Sequence, residues 1–381
     1  MKNGLFQIGL VGCGGMGSGH AIALHYGTGT AVYFATDVTK KMYNSEVTTD
    51  ISKIMALAGV YDIDPERCEW AKGHGMFVYE NYDAMLADPD VDAILIATPN
   101  NFHKEQAIKA MRAGKHVLCE KPVMITSQDL LDVMAVSKET GMVFYPRQNR
   151  EWDEDNLVMK KIYDEKLIGE PFHVECRIMG SRGIPGDWRG IKECGGGMML
   201  DWGVHIIDRL LKMIPEKVTE VFAKYTYITN KECEDGLRMH LTFESGMTAV
   251  LEVGTCHFIS LPLWTMYGNH GSAVINKWRF GFEPMDGKIV RLTSWEDKDT
   301  TPILAGEGLT KTMAPRMANS IEEKPLPEID YDRNELYKNF AMTCMGKEEQ
   351  IVTQEHALRV LRLMEACSKS NAEGVVVKFE Q

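Results

Sequence analysis

The stretch Leu5-Phe6-Gln7-Ile8-Gly9-Leu10-Val11-Gly12-Cys13-Gly14-Gly15-Met16-Gly17 decides the fold. Leu5–Val11 is a short apolar run of the kind that forms a buried strand. Glycines follow at once, and Met16–His25 reads as the opening of a helix. Strand, tight turn and helix with glycines spaced G-x-G-x-x-G make a cradle for a dinucleotide. Gly12 allows the turn, and Gly14 lets the backbone approach a pyrophosphate. Gly15 and Met16 complete the cradle, and Gly17 permits close packing of helix on strand. The helix N-terminus then faces the anion.

Outward from this turn, strands and helices alternate. Strands are expected at Ala58–Tyr61, Phe77–Val78, Ala93–Ala97, Val117–Cys119 and Met142–Tyr145. Helices are expected at about 65–72, 81–86, 104–113 and 127–140, the last stopped by Gly141. Alternation of this kind over about 145 residues predicts a doubly wound parallel sheet. After Asn149 the pattern changes. A helix at Asp155–Glu165 and a Gly-rich stretch lead into longer alternating runs at Glu220–Ile228, Gly236–Phe243, Thr248–Cys256, Leu263–Gly268 and Ser272–Asn276. These predict an antiparallel sheet with one helical layer, closed by helices at Tyr331–Met345 and Gln354–Ser370. The reading is therefore α/β, with domains at 1–149 and 150–381. The stretch Glu296–Pro327 is polar and reads as a surface excursion.

Composition narrows the function. The chain has 381 residues, 44% hydrophobic and 25% charged, which suits two globular domains. The net charge of −12 argues against a nucleic-acid binder, which carries a basic surplus. No apolar run reaches the roughly 18 residues of a membrane span. Residues 1–10 are too short for a secretory leader, so a cytoplasmic location is expected. Nine scattered cysteines without a Cys-x-x-Cys pair read as reduced thiols. His173, His240, His257 and His270 show no ligand spacing, so no metal is expected.

The acid that would hold the ribose has two candidates. Asp37 lies 20 residues after Gly17, the usual spacing. Asp62 lies farther on, but it ends an apolar run and opens Asp62-Ile63-Asp64-Pro65-Glu66-Arg67, before a helix and the next strand. Asp62 is preferred, with about Thr30–Met55 as an insertion before the second strand. An acid at this place hydrogen-bonds the ribose hydroxyls and repels a 2′-phosphate, favouring NAD over NADP.

Three later segments follow strand ends or share a helix. Thr98-Pro99-Asn100-Asn101-Phe102-His103 and Glu120-Lys121-Pro122 each follow a strand's carboxyl end, where open α/β sheets bind ligands. Asp201 and His205 are i and i+4, on one helix face. With the glycine turn, AILIATPNNFH (93–103), GKHVLCEKP (114–122), DWR (187–189) and GGGMMLDWGVHIID (195–208), the chain resembles the Gfo/Idh/MocA family of glucose–fructose oxidoreductase and inositol dehydrogenase. The resemblance covers nearly the whole chain. It implies an N-terminal Rossmann domain that binds NAD through Gly12–Gly17, Asp62, Thr98, Asn100, His103, Glu120 and Lys121. It implies a C-terminal α+β domain with an open, mostly antiparallel sheet that mediates homo-oligomerisation. It further implies that Lys121, Asp201 and His205 are the catalytic lysine, aspartate and histidine, and that Lys121–Pro122 is cis.

The residue chemistry agrees. Oxidising a secondary alcohol removes a hydroxyl proton as hydride leaves. His205 near its ordinary pKa can accept that proton, and Lys121 can stabilise developing alkoxide charge. Asp201 can hold a second hydroxyl or tune its neighbours. Arg150, Trp152, Trp188 and Arg189 are candidates for the pocket wall, though each alone suits a structural role equally. The resemblance implies a sugar, glycoside or cyclitol substrate, with the C3 hydroxyl of a glucosyl unit as the sharpest expectation. A redox-neutral glycosidase, a cyclitol dehydrogenase and a non-catalytic dinucleotide sensor remain as rival readings.

Overall fold

The computed structural model describes residues 1–27, 49–278, 284–295, 316 and 318–380. Asp37 and most of the expected insertion lie outside them. So does most of the Glu296–Pro327 excursion.

The first sheet consists of β1 (Phe6–Val11), β2 (Met55–Tyr61), β3 (Ala93–Ile96), β4 (His116–Cys119) and β5 (Phe144–Pro146). All pairs are parallel, in the order β2-β1-β3-β4-β5. Every residue of β1 is buried, as befits a strand flanked by neighbours and covered on both faces. The direction of winding reverses on either side of β1. A crevice therefore opens at the carboxyl ends of β1 and β3. Five helices connect these strands: α1 (Gly15–His25), α2 (Pro65–Gly73), α3 (Tyr82–Ala87), α4 (His103–Arg112) and α5 (Ser127–Thr140). The bounds of α5 follow from its caps. The Thr126 side chain accepts from the Asp129 N–H, and Gly141 ends the helix in the left-handed conformation at φ +71°.

The chain then enters a second sheet. Helix α6 (Glu154–Asp164) leads to β6 (Pro171–Met179), and α7 (Val204–Met213) to β7 (Val218–Thr226), β8 (Gly236–Phe243), β9 (Thr248–Gly254), β10 (Trp264–Gly268) and β11 (Gly271–Lys277). Strands β12 (Asp286–Leu292), β13 (Ile321–Lys324) and β14 (Val377–Lys378) complete it. The order is β13-β12-β11-β10-β6-β9-β8-β7-β14, with only β6 and β9 parallel among the described pairs.

Several expectations are corrected. The second strand begins at Met55, inside the expected insertion. Val78 makes one isolated bridge with Val60, so Phe77–Val78 is no strand of the sheet. Strand β6 sits mid-sheet yet was not foreseen, although Val174, Cys176 and Ile178 alternate with His173, Glu175 and Arg177 as a half-buried strand requires. Part of the polar excursion is ordered, since Ile321–Lys324 pairs with β12.

The division at Asn149 is also less clean in space than along the chain. Helix α8 (Glu335–Cys344) returns to the first core, where Leu336, Tyr337 and Phe340 pack with Phe6, Ile8 and Leu10. Helix α9 (Gln354–Glu373) lies against β7, α5 and α7. Phe340 is fully buried, edge-on to Phe6 at 5.9 Å and to Tyr145 at 5.6 Å between centroids. Phe340→Ala is expected to lower unfolding free energy by about 3–5 kcal/mol in urea titration. A loss under about 1 kcal/mol would show that α8 does not seal this core.

Candidate active site

The turn after β1 is built around Gly12. Its φ is +88°, and a Cβ there would lie 2.7 Å from the backbone of Ala97. Its N–H donates to the Tyr61 carbonyl at 2.9 Å, tying the turn to the end of β2. Gly17 is constrained from within the turn, because a Cβ would collide with the Gly12 carbonyl oxygen. Nothing approaches the place where a Gly15 Cβ would stand, and no side chain caps α1. Its first N–H groups are thus available to an anion.

Asp62 stands immediately after β2 and is buried. One carboxylate oxygen accepts from the Cys13 N–H at 2.6 Å, and the other accepts from the Asp64 N–H at 2.9 Å. The acid is therefore fixed against the glycine turn, where the ribose of a dinucleotide lies in this fold. Arg67 approaches the same carboxylate at 3.5 Å and Asp64 at 3.4 Å.

Glu120 and Lys121 follow β4. Glu120 is buried, with one oxygen 2.7 Å from His20 Nε2 and 2.8 Å from Arg147 Nη1. His20 is bonded on its other nitrogen to the Tyr337 hydroxyl. Burial alone would raise the Glu120 carboxyl, but Arg147, His20 and Lys121 hold it well below the usual carboxylate range. Its second oxygen accepts the Lys121 backbone N–H at 3.0 Å. Lys121–Pro122 is cis.

Lys121 reaches across to the second half of the chain. Its ammonium donates to the Asp201 carboxylate and to the Asp201 carbonyl, both at 2.8 Å. Arg189 Nε approaches the other Asp201 oxygen at 3.3 Å, and Arg189 Nη1 pairs with Asp187 at 2.7 Å. Burial pushes the Asp201 carboxyl up, yet Lys121 and Arg189 outweigh it and the pKa falls below the ordinary value.

Asp201 does not lie on a regular α-helix. Met199–Gly203 forms a π turn that runs into α7. The i, i+4 geometry expected for Asp201 and His205 is thus replaced by a wider turn, a feature common at functional sites. Both side chains still line one cleft. His205 departs from expectation in a second way. It is buried, and burial together with Lys121, Arg150, Arg209 and Arg147 depresses its pKa well below 6.5. Its Nδ1 has no protein partner among the described residues.

The cleft has a volume of about 500 Å³ and runs from Gly14, Gly15 and Met16 past Thr98, Asn100, Glu120 and Lys121 to Asp201 and His205. Arg150, Trp188 and Arg189 also line it, as the sequence suggested. His103 does not. It is fully buried behind the cleft, 2.9 Å from the Thr98 carbonyl and 3.0 Å from the Pro122 carbonyl, and so clamps the two loops together. Trp152 is likewise absent from the wall and packs against the first core. Arg67, Arg147, Asn149 and Trp202 line the cleft without having been singled out. Arg67 had a signal in its place one helical turn beyond Asp64.

The three glycines before Asp201 set its position. A Cβ on Gly196 would strike the Arg189 carbonyl oxygen, and Gly197, at φ +107°, packs on the Glu234 carboxylate. That carboxylate accepts the Met199 N–H at 2.9 Å.

The expectation of no metal rests on His173, His240, His257 and His270, and the group of potential ligand atoms in the structure is a different one. Among the described residues, Glu151, Asp208 and His356 place one ligand atom each within 4.8 Å of one another. Lys212 lies 3.4 Å from Glu151, and His356 Nε2 lies 2.9 Å from Asp208, while burial and the Asp208 carboxylate push the Glu151 carboxyl well above its ordinary pKa.

Comparison with known proteins agrees with this architecture. A family model for an oxidoreductase family with an NAD-binding Rossmann fold matches residues 6–147, and one for the GFO/IDH/MocA C-terminal domain matches residues 157–274. The chain belongs to the Gfo/Idh/MocA oxidoreductase family. It is similar to an uncharacterised oxidoreductase of Schizosaccharomyces pombe, 30% identical over 80% of this chain and 85% of that protein. It is 30% identical to 1,5-anhydro-D-fructose reductase of Ensifer adhaerens over 50% of this chain and 59% of that protein. The structure of an NAD-binding protein from Listeria innocua superposes with a TM-score of 0.80 at 38% identity, covering 98% of this chain and 96% of that one. The chain is thus a nicotinamide-dependent oxidoreductase. No helix among the described residues is long and apolar enough to cross a membrane.

Gly12→Ala is expected to weaken dinucleotide binding at least tenfold in isothermal titration, because its Cβ would displace the backbone around Ala97. Unchanged affinity would show that the turn does not form the cradle.

Proposed function

We propose that this oxidoreductase uses NAD to oxidise a secondary hydroxyl of a sugar ring, with the C3 hydroxyl of a glucosyl unit in a glycoside as the preferred target. The observation that carries the reading is the Lys121–Asp201 pair with His205 in the same cleft as the glycine turn. When bound, the nicotinamide supplies the hydride acceptor. The chain supplies the rest. Lys121 presents a cation to the reacting hydroxyl and stabilises charge that builds on its oxygen. His205, kept neutral by its surroundings, accepts the hydroxyl proton. Asp201 holds the Lys121 ammonium in place and, with Arg189, offers donors and acceptors to an adjacent hydroxyl. The buried Asp62 carboxylate supports NAD over NADP, since a 2′-phosphate there would meet a fixed negative charge. A sugar-type substrate also accords with the name of the Ensifer relative. The open face of the large sheet is the surface we assign to self-association, in a cytoplasmic protein.

The test incubates the protein with NAD and, separately, phenyl β-glucoside, glucose and myo-inositol. NADH formation and a mass loss of two hydrogens are followed together. Oxidation of the glucoside supports the reading. Oxidation of inositol alone would overturn the glycoside assignment, and aglycone release without NADH would point to the redox-neutral route.

The proton step has its own signature. A base whose pKa lies well below 6.5 stays competent in mild acid. The acid limb of kcat/KM is therefore expected well below pH 6.5. Lys121→Met removes one cationic neighbour and should move that limb upward while lowering kcat. An acid limb at or above pH 6.5 in the native enzyme would contradict the assignment of His205.

A further inference from the structure

Beside His205, the cleft residue Trp202 leads to a further ring just outside the cleft lining. Trp202 stands edge-on to His205, with centroids 5.8 Å apart. Trp278, at the end of β11, stacks against Trp202 at 5.9 Å and 29°. The Arg150 guanidinium lies 4.5 Å from the Trp202 ring centre and 5.6 Å from that of Trp278. Its Nη1 is held by Asp153 at 2.8 Å, and Asp153 is held in turn by Arg333 at 3.2 Å. The row of rings therefore starts beside the residue assigned to proton transfer and ends at an indole with 36% of its surface exposed. Neither the family match nor the Lys121–Asp201–His205 chemistry gives Trp278 any task.

We infer that Trp202, Trp278 and Arg150 form an outer subsite that holds a planar aromatic ring attached to the sugar being oxidised. This deepens the proposed function and rests on it. The physical case has three parts. First, a half-exposed indole stacked on a second indole costs solvation that a core tryptophan would not, and a stacked ligand ring removes that cost. Second, Arg150 is fixed by Asp153 with its guanidinium toward the rings. The wall thus offers π faces and a cation, which suit an electron-rich aromatic ring. Third, Asp153 holds Arg150 through Nη1, so the guanidinium stays beside both indoles. The substrate class that follows is an aryl glycoside, with the aryl ring on the Trp278 side and the sugar over Lys121 and Asp201.

The test compares phenyl β-glucoside, methyl β-glucoside and cellobiose in native enzyme, Trp278→Ala and Trp278→Phe. The expected preference of native enzyme for the phenyl compound, in kcat/KM, falls about five- to tenfold in Trp278→Ala, the size of one aromatic stack. Trp278→Phe restores most of it, which a merely destabilised fold would not do. An unchanged preference in Trp278→Ala overturns the subsite. So does a loss confined to cellobiose, which would mark a sugar-binding wall instead. A binding arm separates this inference from the reaction on which it rests. If native enzyme oxidises neither glucoside, the proposed function falls. The subsite is then judged by indole fluorescence, where quenching by phenyl but not methyl β-glucoside, lost in Trp278→Ala, supports it. Equal quenching in both proteins overturns it.

Discussion

The ion pair between Lys121 and Asp201 is the contact on which the site depends. It joins the end of a parallel strand in the first half to a π turn in the second, with both side chains largely buried. Two charges taken out of water at this depth are tolerated only with close geometry and further partners. Asp201 has them in Arg189, and Lys121 has a second acceptor in the Asp201 carbonyl. Loss of Asp201 would leave the buried Lys121 ammonium without its carboxylate partner, which costs about 3–5 kcal/mol in comparable sites, whereas Asp201 without Lys121 would keep Arg189. Reach and charge together thus fix how the dinucleotide turn faces the chemical residues.

The surroundings of this pair follow from the same electrostatics. Behind Lys121, the Glu120 carboxylate is ionised by Arg147 and bonded to His20, so the loop carrying the lysine is anchored by charge-assisted bonds. In front of it, cations crowd His205. Lys121, Arg150, Arg209 and Arg147 all oppose a proton on its ring, and burial opposes it more. A neutral imidazole beside an ammonium is the arrangement that an alcohol-oxidising site needs. The cation receives developing negative charge while the base remains free to take the proton.

Local signals made much of this legible. The glycine turn, the capped bounds of α5 and the apolar run of β3 are set by residues adjacent in the chain. Asp62 was legible because it ends a strand, and the structure places it on the turn beneath Cys13. What escaped was set by distant neighbours. Strand β6 carries the alternation of a half-buried strand, but its place mid-sheet is set by β9 and β10, far along the chain. His103 reads as a ligand because it follows a strand end, but two carbonyl oxygens capture it from behind. Gly197 before the π turn lies against Glu234, which comes only after α7 and β7 in the chain. Trp278 meets Trp202 only through the course of β11, so no short motif marks it.

The most direct measurement is the titration of His205 by NMR, with carbon-labelled histidine and assignment by His205→Gln. The imidazole is predicted to stay neutral from pH 8 to well below 6.5, and its titration should move upward in Lys121→Met. A midpoint at or above 6.5, or one indifferent to Lys121, would contradict the arrangement of cation, anion and neutral base on which the proposed chemistry stands.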